Sequence, residues 1–385
     1  DFCLSRGLGD VYKRQVFHDL IPFETRKAVA AFYTNNEAAE MLASLSIEDP
    51  DAKVMDLACG SGTLLVAAYH RKRELLERSG RYFGLEEHKR FLEEDLTGID
   101  IMPFAAHLAV VHLSLQSPVY ETEKVRIAVW DSTELRPDQV IPAIHKELKE
   151  AYKRPTLDLF TKEKPPFEEE AYIKKGVVTP EGIGGEAIPI EHVDVIIMNP
   201  PFTRQERLPK GYKSNLSKRL KEYEDRLHGQ LGLYGYFLFL ADRFLKSNGR
   251  LALVLPATIL RITSTQGIRN MLTEDYDVEY VITTYQRAAF SERAQFREIL
   301  LIAKKKLEGV GTPQRISPHC LVITLNRLPK DMNEARSFAE YFKGLSQKHP
   351  GIIKNDYSTA VVITQQELKN NLDNMFRLIA STEPN

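Results

Sequence analysis

Apolar runs of strand length alternate with helical patterns between residues 54 and 304, and this alternation limits the folds open to the chain. The runs indicate seven buried strands, at residues 54–57, 96–99, 125–129, 193–198, 250–255, 278–283 and 298–304. Helices are expected before the first and the fifth strand, at residues 35–45 and 234–246. The sequence therefore predicts an α/β fold with a doubly wound, seven-stranded, Rossmann-like parallel sheet. Such sheets bind their ligands at the carboxyl ends of the strands.

The start of the chain has the character of a sequencing artefact. Residues 5–15 read SRGLGDVYKRQ, and one back-translation of this string matches the adapter end of transposon-based sequencing libraries. Residues 1–15 are therefore left out of the fold prediction, and the chain is expected to be a fragment of a longer protein.

The rest of the chain divides into three segments by composition. An N-terminal helical segment at 16–50 precedes the sheet core at 51–308. A proline-rich insertion at 132–192 interrupts the core, and a helix is expected within it at 139–153. Residues 309–385 change character again, with strand and helix patterns that predict the start of another domain.

Composition excludes several classes of protein. Lys and Arg number 52 and Asp and Glu 53, so the net charge of −1 gives no global sign of nucleic-acid binding, and any such role must rest on local patches. No apolar run approaches the ~20 residues of a membrane span, and no basic-then-apolar leader is present. Three scattered cysteines fit reduced thiols, so a cytoplasmic protein without a membrane partner is expected.

The first predicted strand runs into a small, glycine-rich turn that contains Asp56, Ala58, Gly60 and Gly62. Glycines let the backbone approach a ligand closely, and the helix that follows presents unpaired N–H groups. A tight strand-to-helix turn without a ligand is the alternative interpretation. The dinucleotide fingerprint fits poorly, because its third small residue would fall at Leu65.

The next two predicted strands each end in a carboxylate. Asp100 and Ile101 follow the second strand, and Asp131 and Ser132 follow the third. Asp100 can accept hydrogen bonds from both ribose hydroxyls, Ile101 offers an apolar face to adenine, and Asp131 can accept from the adenine amine. Each acid alone is more often a helix N-cap or a solvated loop residue. Together with the glycine turn they predict a pocket for an adenosine-bearing ligand with a small cationic tail, which S-adenosylmethionine fits.

The fourth predicted strand stops at Asn199, Pro200, Pro201 and Phe202. The two prolines stiffen the turn, and an Asn-Pro turn that only closes a strand is the alternative. The side-chain oxygen of Asn199 and the carbonyl of Pro200 can both accept from one planar –NH2 group, while Phe202 stacks on the ring that carries it. The amine nitrogen can then attack the methyl of a sulfonium in line, so orientation and electrostatics supply the catalysis and no metal is expected.

These motifs resemble, in order through about residues 22–306, the N6-adenine DNA methyltransferases of restriction–modification systems. The group is the one in which the cofactor motif precedes the catalytic tetrapeptide. The resemblance implies a seven-stranded methyltransferase core that uses S-adenosylmethionine, with Tyr33 and Thr34 in the first cofactor motif. It also implies that an aromatic residue near the last strand holds the target base, here Phe290 or else Phe296. Asn35 departs from the family pattern, where a proline is usual.

A basic stretch follows the catalytic turn, and its position beside the pocket favours contact with DNA phosphates. Four residues are the candidates for this contact: Arg204, Arg207, Lys210 and Lys213. A solvated helix face is the alternative. A base inside a duplex must be flipped out to reach Asn199, so double-stranded DNA is the expected partner.

The resemblance implies further partners and parts. Sequence readout is expected from a target-recognition domain that begins within residues 309–385, or from a separate specificity subunit, and a restriction subunit is a further possible partner. A nuclease domain before residue 16 is also left open.

Two rival functions remain. Methyltransferases of a glutamine amide in a translation factor, or of guanine N2 in RNA, also use Asn-Pro-Pro-aromatic turns. The Phe-Tyr-Thr motif at 32–34 and the basic stretch argue against them. The second rival is a DNA-binding subunit of a modification complex without catalysis, against which the intact 199–202 turn argues.

Overall fold

The fold is described from a computed structural model of the chain. It covers residues 34–122, 124–143, 175–179, 186–203, 208, 210–286, 289–291, 296–307, 319–346, 350–380 and 382. The predictions for residues 1–15, Tyr33, Arg204 and Arg207 lie outside this part of the chain.

Thirteen strands occur in the described residues: β1 Val54–Asp56, β2 Leu96–Asp100, β3 Arg126–Val129, β4 Val140–Ile141, β5 Gly176–Val178, β6 Ile188–Pro189, β7 Val193–Met198, β8 Leu245–Pro256, β9 Tyr276–Thr284, β10 Glu298–Lys305, β11 Cys320–Leu325, β12 Gly351–Lys354 and β13 Ser358–Ile363. Ten α-helices accompany them: α1 Asn36–Ser46, α2 Thr63–Arg78, α3 Leu85–Arg90, α4 Pro103–Ser114, α5 Lys210–Arg219, α6 Leu233–Phe244, α7 Gln266–Glu274, α8 Met332–Ser346, α9 Gln365–Asn370 and α10 Phe376–Ala380. Within these described ranges no helix is both long and apolar enough to cross a membrane.

One mixed sheet forms the centre of the fold, in the order β12-β13-β11-β9-β10-β8-β7-β1-β2-β3-β5. The α/β class and all seven predicted strands are confirmed. The count of seven is not, because eleven described strands join the sheet. β1 pairs in parallel with β2 and β7, and β7 with β8, so their carboxyl ends meet at one edge. β10 runs antiparallel between β8 and β9, which a sequence pattern of strand-length runs cannot show.

Residues beyond 308 extend this same sheet. β11 pairs in parallel with β9, β13 pairs antiparallel with β11, and β12 with β13. α8 packs against α1 on one face. The described part of residues 309–385 is therefore continuous with the core, and the start of a target-recognition domain there stays a prediction.

Two predicted helices differ from the structure. The helix expected at 139–153 does not begin there, because residues 140–141 form β4; Pro142 favours extended backbone at the residue before it, and Asp138 has a φ of 66°. The helix expected at 234–246 begins at Leu233 and ends at Phe244, and the left-handed Asn248 (φ 67°) lies in the irregular start of β8.

Alternate residues of the central strands enter two apolar clusters, one on each face of the sheet. In β7, Val195 and Ile197 pack with α1, α2, α4 and α8, whereas Ile196 and Met198 pack with α6, α7 and α10. Burial of each such side chain contributes about 1.5–3 kcal/mol. Burial on both faces explains why these strands read as continuous apolar runs, and it holds their carboxyl ends rigidly for the site.

Candidate active site

The glycine-rich turn joins β1 to α2 at the edge where the parallel strands end. Gly60 and Gly62 have φ angles of 53° and 83°, which side chains other than glycine rarely adopt. The Gly62 N–H donates to the carbonyl of Cys59 over 2.8 Å, and α2 begins at the next residue. A Cβ atom at Gly62 would lie 3.0 Å from that of Ala109 on α4, so only glycine fits this close approach.

Two carboxylates hold the turn, one from the buried Asp56 and one from the half-buried Asp100. The side chain of Asp56 accepts from the N–H of Ala58 over 2.9 Å. Asp100, at the end of β2, accepts from the N–H of Gly60 over 2.9 Å and from that of Met102 over 2.8 Å. Burial raises the pKa of both carboxyls, and backbone hydrogen bonds offset part of this effect. Both acids thus shape the turn from inside, a role that the sequence prediction of Asp100 as a ribose acceptor did not include.

The loop after β3 forms ion pairs with α5, the helix in the segment that follows the turn at residues 199–202. Asp131 accepts from the N–H and hydroxyl of Thr133 and pairs with Arg219, the last residue of α5, over 2.9 Å. Arg219 also pairs with Glu134 over 2.9 Å, and the Ser132 hydroxyl donates to the carbonyl of Leu57. Of the roughly four acceptor positions of the Asp131 carboxylate, one therefore remains for an adenine amine.

The groups at the turn and the two strand ends suit the chemistry of S-adenosylmethionine. A Cβ at Gly60 would meet no atom within 4 Å, so the turn opens onto empty space. Each oxygen of Asp100 accepts one described hydrogen bond and can accept another. Ile101 is 51% exposed beside it, which leaves an apolar surface for a ring. No group of three or more His, Cys, Asp or Glu residues that could hold a metal ion occurs in the described ranges.

Asn199 lies at the end of β7, next to β1, and its side-chain amide is held by two hydroxyls. Nδ2 donates to Thr34 Oγ1 and to Ser291 Oγ, each over 3.1 Å. Thr34 and Ser291 are themselves joined by an antiparallel backbone bridge. The structure therefore brings the first cofactor motif and the segment before β10 together on the catalytic turn.

Aromatic rings surround the end of this turn. The Phe202 ring meets that of Phe296 edge-on at 5.2 Å between centroids and that of Tyr234 at 6.3 Å. Pro200 is buried and Pro201 half-buried beneath them. Phe202 itself is buried, in the apolar cluster that contains α6 and α7.

Phe290 does not fit its predicted role of stacking on the target base. Its ring is 1% exposed and belongs to the apolar cluster that contains α1 and α2. Its N–H donates to Glu298 and its carbonyl accepts from the N–H of Asn35. Phe296, the other aromatic residue considered, is the one beside Phe202. The sequence could not show which of the two rings, Phe290 or Phe296, faces the core, because that depends on tertiary packing.

Several cationic side chains in the segment after residues 199–202 pair with other groups of the protein, which leaves fewer of them to contact DNA phosphates. Arg219 pairs with Asp131 and Glu134, and Arg226 pairs with Glu274 and Asp275. The Lys213 ammonium donates to the carbonyl of Gly229. Lys210 begins α5, but its side chain lies outside the described part of the structure.

Three residues of the site were missed by the sequence analysis: Ser291, Glu298 and Arg219. Glu298 is an acid at the start of an otherwise apolar strand, a signal that could have found it. Ser291 and Arg219 carry no such signal, because their partners are 92 and 88 positions away in the sequence.

A family model described as Eco57I restriction-modification methylase matches residues 94–290, which include the 199–202 turn. The chain belongs to this family. A second family model, N-6 DNA methylase, matches residues 6–144, which include the glycine-rich turn. Together the two matches span both halves of the site, and they support the resemblance drawn from the motifs.

One curated relative of the chain is the type II methyltransferase M.BanIII of Aneurinibacillus aneurinilyticus. It is 31% identical over 121 residues, which are 31% of this chain and 20% of that protein. The chain thus matches only about a fifth of the length of this relative.

Two solved structures share the fold. The type IIG restriction endonuclease BpuSI has a TM-score of 0.56 at 15% identity, over 90% of this chain and 32% of that one. A modification subunit ascribed to a type I restriction enzyme of Vibrio vulnificus also has a TM-score of 0.56, at 17% identity, over 97% of this chain and 66% of that one. The sheet of this chain therefore has the same overall architecture as these two solved structures.

Proposed function

We propose that this chain is the catalytic part of a site-specific DNA methyltransferase that modifies adenine at N6 and uses S-adenosylmethionine. One observation carries the proposal: Asn199, at the end of β7, has its amide nitrogen held by Thr34 and Ser291 beside the glycine turn of β1. The membership in the restriction–modification methylase family supports the choice of DNA adenine.

The residues of the proposed cofactor site lie at the ends of three strands, β1, β2 and β3, and each group has its own role. Gly60 and Gly62 shape the turn, Asp100 offers acceptors for the ribose, Ile101 lies beside the adenine and Asp131 accepts from its amine. Tyr33, Thr34, Asp56, Ala58 and Ser132 complete the proposed set. S-adenosylmethionine, when bound, supplies an electrophilic methyl carbon on a sulfonium, which is transferred as the carbon–sulfur bond breaks.

The catalytic turn acts on the target amine. Asn199 Oδ1 and the Pro200 carbonyl accept hydrogen bonds from the two N6 protons, which favours a tetrahedral nitrogen with an available lone pair. One of these protons is lost to water once the new carbon–nitrogen bond has formed. Phe202 and Phe296 hold the base in place, and Pro201 keeps the turn stiff.

Double-stranded DNA is the proposed substrate, and the segment after Phe202 is proposed to contact its phosphates through Arg204, Arg207, Lys210 and Lys213. Reversal of Arg207, Lys210 and Lys213 to Glu should weaken DNA binding at low salt and flatten its dependence on salt concentration. An unchanged salt dependence in a filter-binding titration would count against these contacts. A specificity subunit and a restriction subunit are the proposed protein partners.

A tritium-transfer assay tests the function. The full chain is incubated with labelled S-adenosylmethionine and mixed-sequence duplex DNA, and the DNA is digested to nucleosides. Label in N6-methyladenine is expected. Asn199→Ala should reduce transfer by about 10²-fold or more while it leaves cofactor binding nearly unchanged. Label in RNA or in protein, with none in DNA, would favour the rival substrates.

A further inference from the structure

We propose that His112, on α4, is a positioning residue for cofactor binding, because its imidazole holds the backbone of the glycine-rich turn through the carbonyl of Ser61. The inference rests on the proposed function, in which S-adenosylmethionine binds at this turn. His112 belongs to none of the motifs found in the sequence.

The contact joins two parts of the chain that are far apart in sequence. His112 Nδ1 lies 2.8 Å from the carbonyl oxygen of Ser61, and 51 positions separate the two residues. A carbonyl oxygen only accepts hydrogen bonds, so Nδ1 is the donor. The bond is partly buried, where a carbonyl that lost its donor would be costly to the fold.

The local sequence of the turn does not fix the direction of the Ser61 carbonyl. Glycine adopts positive and negative φ about equally well, and glycines stand on both sides of Ser61. The peptide group between Ser61 and Gly62 could therefore turn over, mainly by a change in the φ of Gly62, which is 83°. Such a change would alter the backbone that the cofactor meets.

Two hydrogen bonds hold this peptide group, one at each end. The N–H of Gly62 donates to the carbonyl of Cys59 over 2.8 Å, and the carbonyl of Ser61 accepts from His112. The first bond is made within the turn, whereas the second comes from another element and ties the turn to α4. Because a side chain makes the second bond, a substitution can remove it and leave the sequence of the turn unchanged.

One face of α4 meets the turn at two points. Ala109 and His112 are three residues apart and so lie on the same face of the helix. A Cβ atom at Gly62 would lie 3.0 Å from that of Ala109, which shows how closely the helix and the turn approach. The position of α4 therefore decides the position of the turn, and His112 supplies the directional part of this contact.

The end of α4 that carries His112 is itself held in place. The Gln116 amide nitrogen donates to the carbonyl of His112 over 2.7 Å, and Gln116 Oε1 lies 2.9 Å from His70 Nε2 on α2. His70 Nδ1 in turn lies 2.6 Å from Glu40 Oε1 on α1. Side chains of three helices thus support the imidazole, and such support is what a positioning residue requires.

Two variants of nearly equal shape test the proposal: His112→Asn and His112→Leu. The amide nitrogen of asparagine occupies the place of Nδ1 and can donate to Ser61, whereas leucine has a methyl group there. We expect His112→Leu to raise the dissociation constant of S-adenosylmethionine by about 5- to 30-fold, since the turn then spends less time in the binding conformation. His112→Asn should stay within about threefold of the unaltered chain.

Helix stability would give the opposite order. Leucine is a better helix former than asparagine, so a purely structural role in α4 would favour His112→Leu over His112→Asn. In methyl transfer, His112→Leu should raise the KM for S-adenosylmethionine and leave kcat at saturating cofactor within about twofold. His112→Ala removes the donor without added bulk, and should match His112→Leu in cofactor affinity if the lost hydrogen bond is the cause.

His107→Leu is the matched control. His107 lies on the same helix, and its Nδ1 also contacts a backbone carbonyl, that of Pro103 over 2.6 Å. This carbonyl belongs to α4 itself, so the substitution removes the same kind of bond without a contact to the turn. Its dissociation constant for S-adenosylmethionine should stay within about twofold of the unaltered chain.

A readout independent of cofactor and activity follows the turn directly. Nitrogen-15 labelling of glycine gives an NMR signal for the N–H of Gly62, identified by its loss in Gly62→Ala. Its hydrogen exchange in the protein without cofactor should be about tenfold faster in His112→Leu and nearly unchanged in His112→Asn.

Weaker cofactor binding and faster Gly62 exchange in His112→Leu, both restored in His112→Asn, support the inference. Unaltered binding and exchange in His112→Leu overturn it, and so does an equal loss in the leucine and asparagine variants. If the unaltered chain does not bind S-adenosylmethionine, the proposed function fails. The exchange of the Gly62 N–H then decides by itself whether His112 holds the turn.

Discussion

Gly62 shows how far one residue can set the geometry of the cofactor turn. Its φ of 83° costs a non-glycine residue about 1–3 kcal/mol, and an added Cβ would also press on Ala109 at 3.0 Å. Any side chain at position 62 would therefore meet both the backbone penalty and the close contact with Ala109. Moving α2 and α4 apart to relieve that contact would lose packing between them. The sequence could predict this glycine, because a strand followed by Gly-Ser-Gly and a helix specifies the turn locally.

Gly62→Ala should therefore lower the free energy of unfolding by about 1–3 kcal/mol and weaken cofactor binding. Urea unfolding and a cofactor titration measure the two effects. Gly344→Ala is the matched control: Gly344 lies in α8 with open space around it, so the alanine should stabilise the helix by about 0.5–1 kcal/mol. Equal effects from the two variants would show that backbone conformation is not what Gly62 supplies.

At the scale of the elements, α5 links the adenine end of the cofactor site to the segment after the catalytic turn. Its last residue, Arg219, contacts Asp131, Thr133 and Glu134 in the loop after β3. The carbonyl of Arg219 in turn accepts from Arg136 and Arg243. The guanidinium thus pairs with the predicted adenine acid, a contact that the sequence analysis did not anticipate.

Arg219→Gln should loosen this link. We expect a several-fold rise in the dissociation constant of the cofactor and faster hydrogen exchange in α5, because the loop after β3 loses its charged partner. Lys218→Gln is the control, since Lys218 is exposed on the same helix. If both variants bound the cofactor equally well, Arg219 would be only a surface ion pair worth less than about 1 kcal/mol.

Elements differ in how far the sequence predicts them. Seven strands were predicted correctly from the sequence: β1, β2, β3, β7, β8, β9 and β10. The sheet is buried on both of its faces there, so each of these strands is a continuous apolar run. β5 was not predicted, because it lies in the segment at 132–192 that was interpreted as a proline-rich insertion. β11 and β13 were expected as strands, but their pairing with β9 was not, because a strand pattern carries no information about its neighbour in the sheet.

At the scale of the whole molecule, the site is assembled at a cost to stability. Asp56 is 1% exposed and Asp100 accepts hydrogen bonds only from backbone groups among its described contacts. Burial holds the pKa of both carboxyls above the ordinary value, because the fold disfavours their ionised forms. Polar groups buried to shape a binding site are a common reason why such sites are less stable than cores.

Stability against pH tests this argument. A carboxyl with a raised folded pKa favours the fold most below its unfolded pKa of about 4, and this contribution is lost as pH rises through the folded value. Asp56→Asn cannot ionise, yet it can still accept from the N–H of Ala58. Relative to the unaltered chain it should gain stability as pH rises from 5 to 8, because the unaltered chain loses the contribution of the Asp56 carboxyl as pH rises.

Asp51 provides a control of opposite sign for the Asp56 variant. The hydrogen bond from Arg81 lowers the pKa of this exposed carboxyl; burial opposes it, and the charges of Arg90, Arg81 and Lys72 add to the lowering. Asp51 therefore contributes stability above its unfolded pKa, and that contribution is lost as pH falls through the lower folded value. Asp51→Asn should be the less stable protein at pH 8. Urea unfolding of both variants at pH 5 and pH 8 makes the comparison, and a pH-independent difference between Asp56→Asn and the unaltered chain would mean that the fold does not raise the pKa of Asp56.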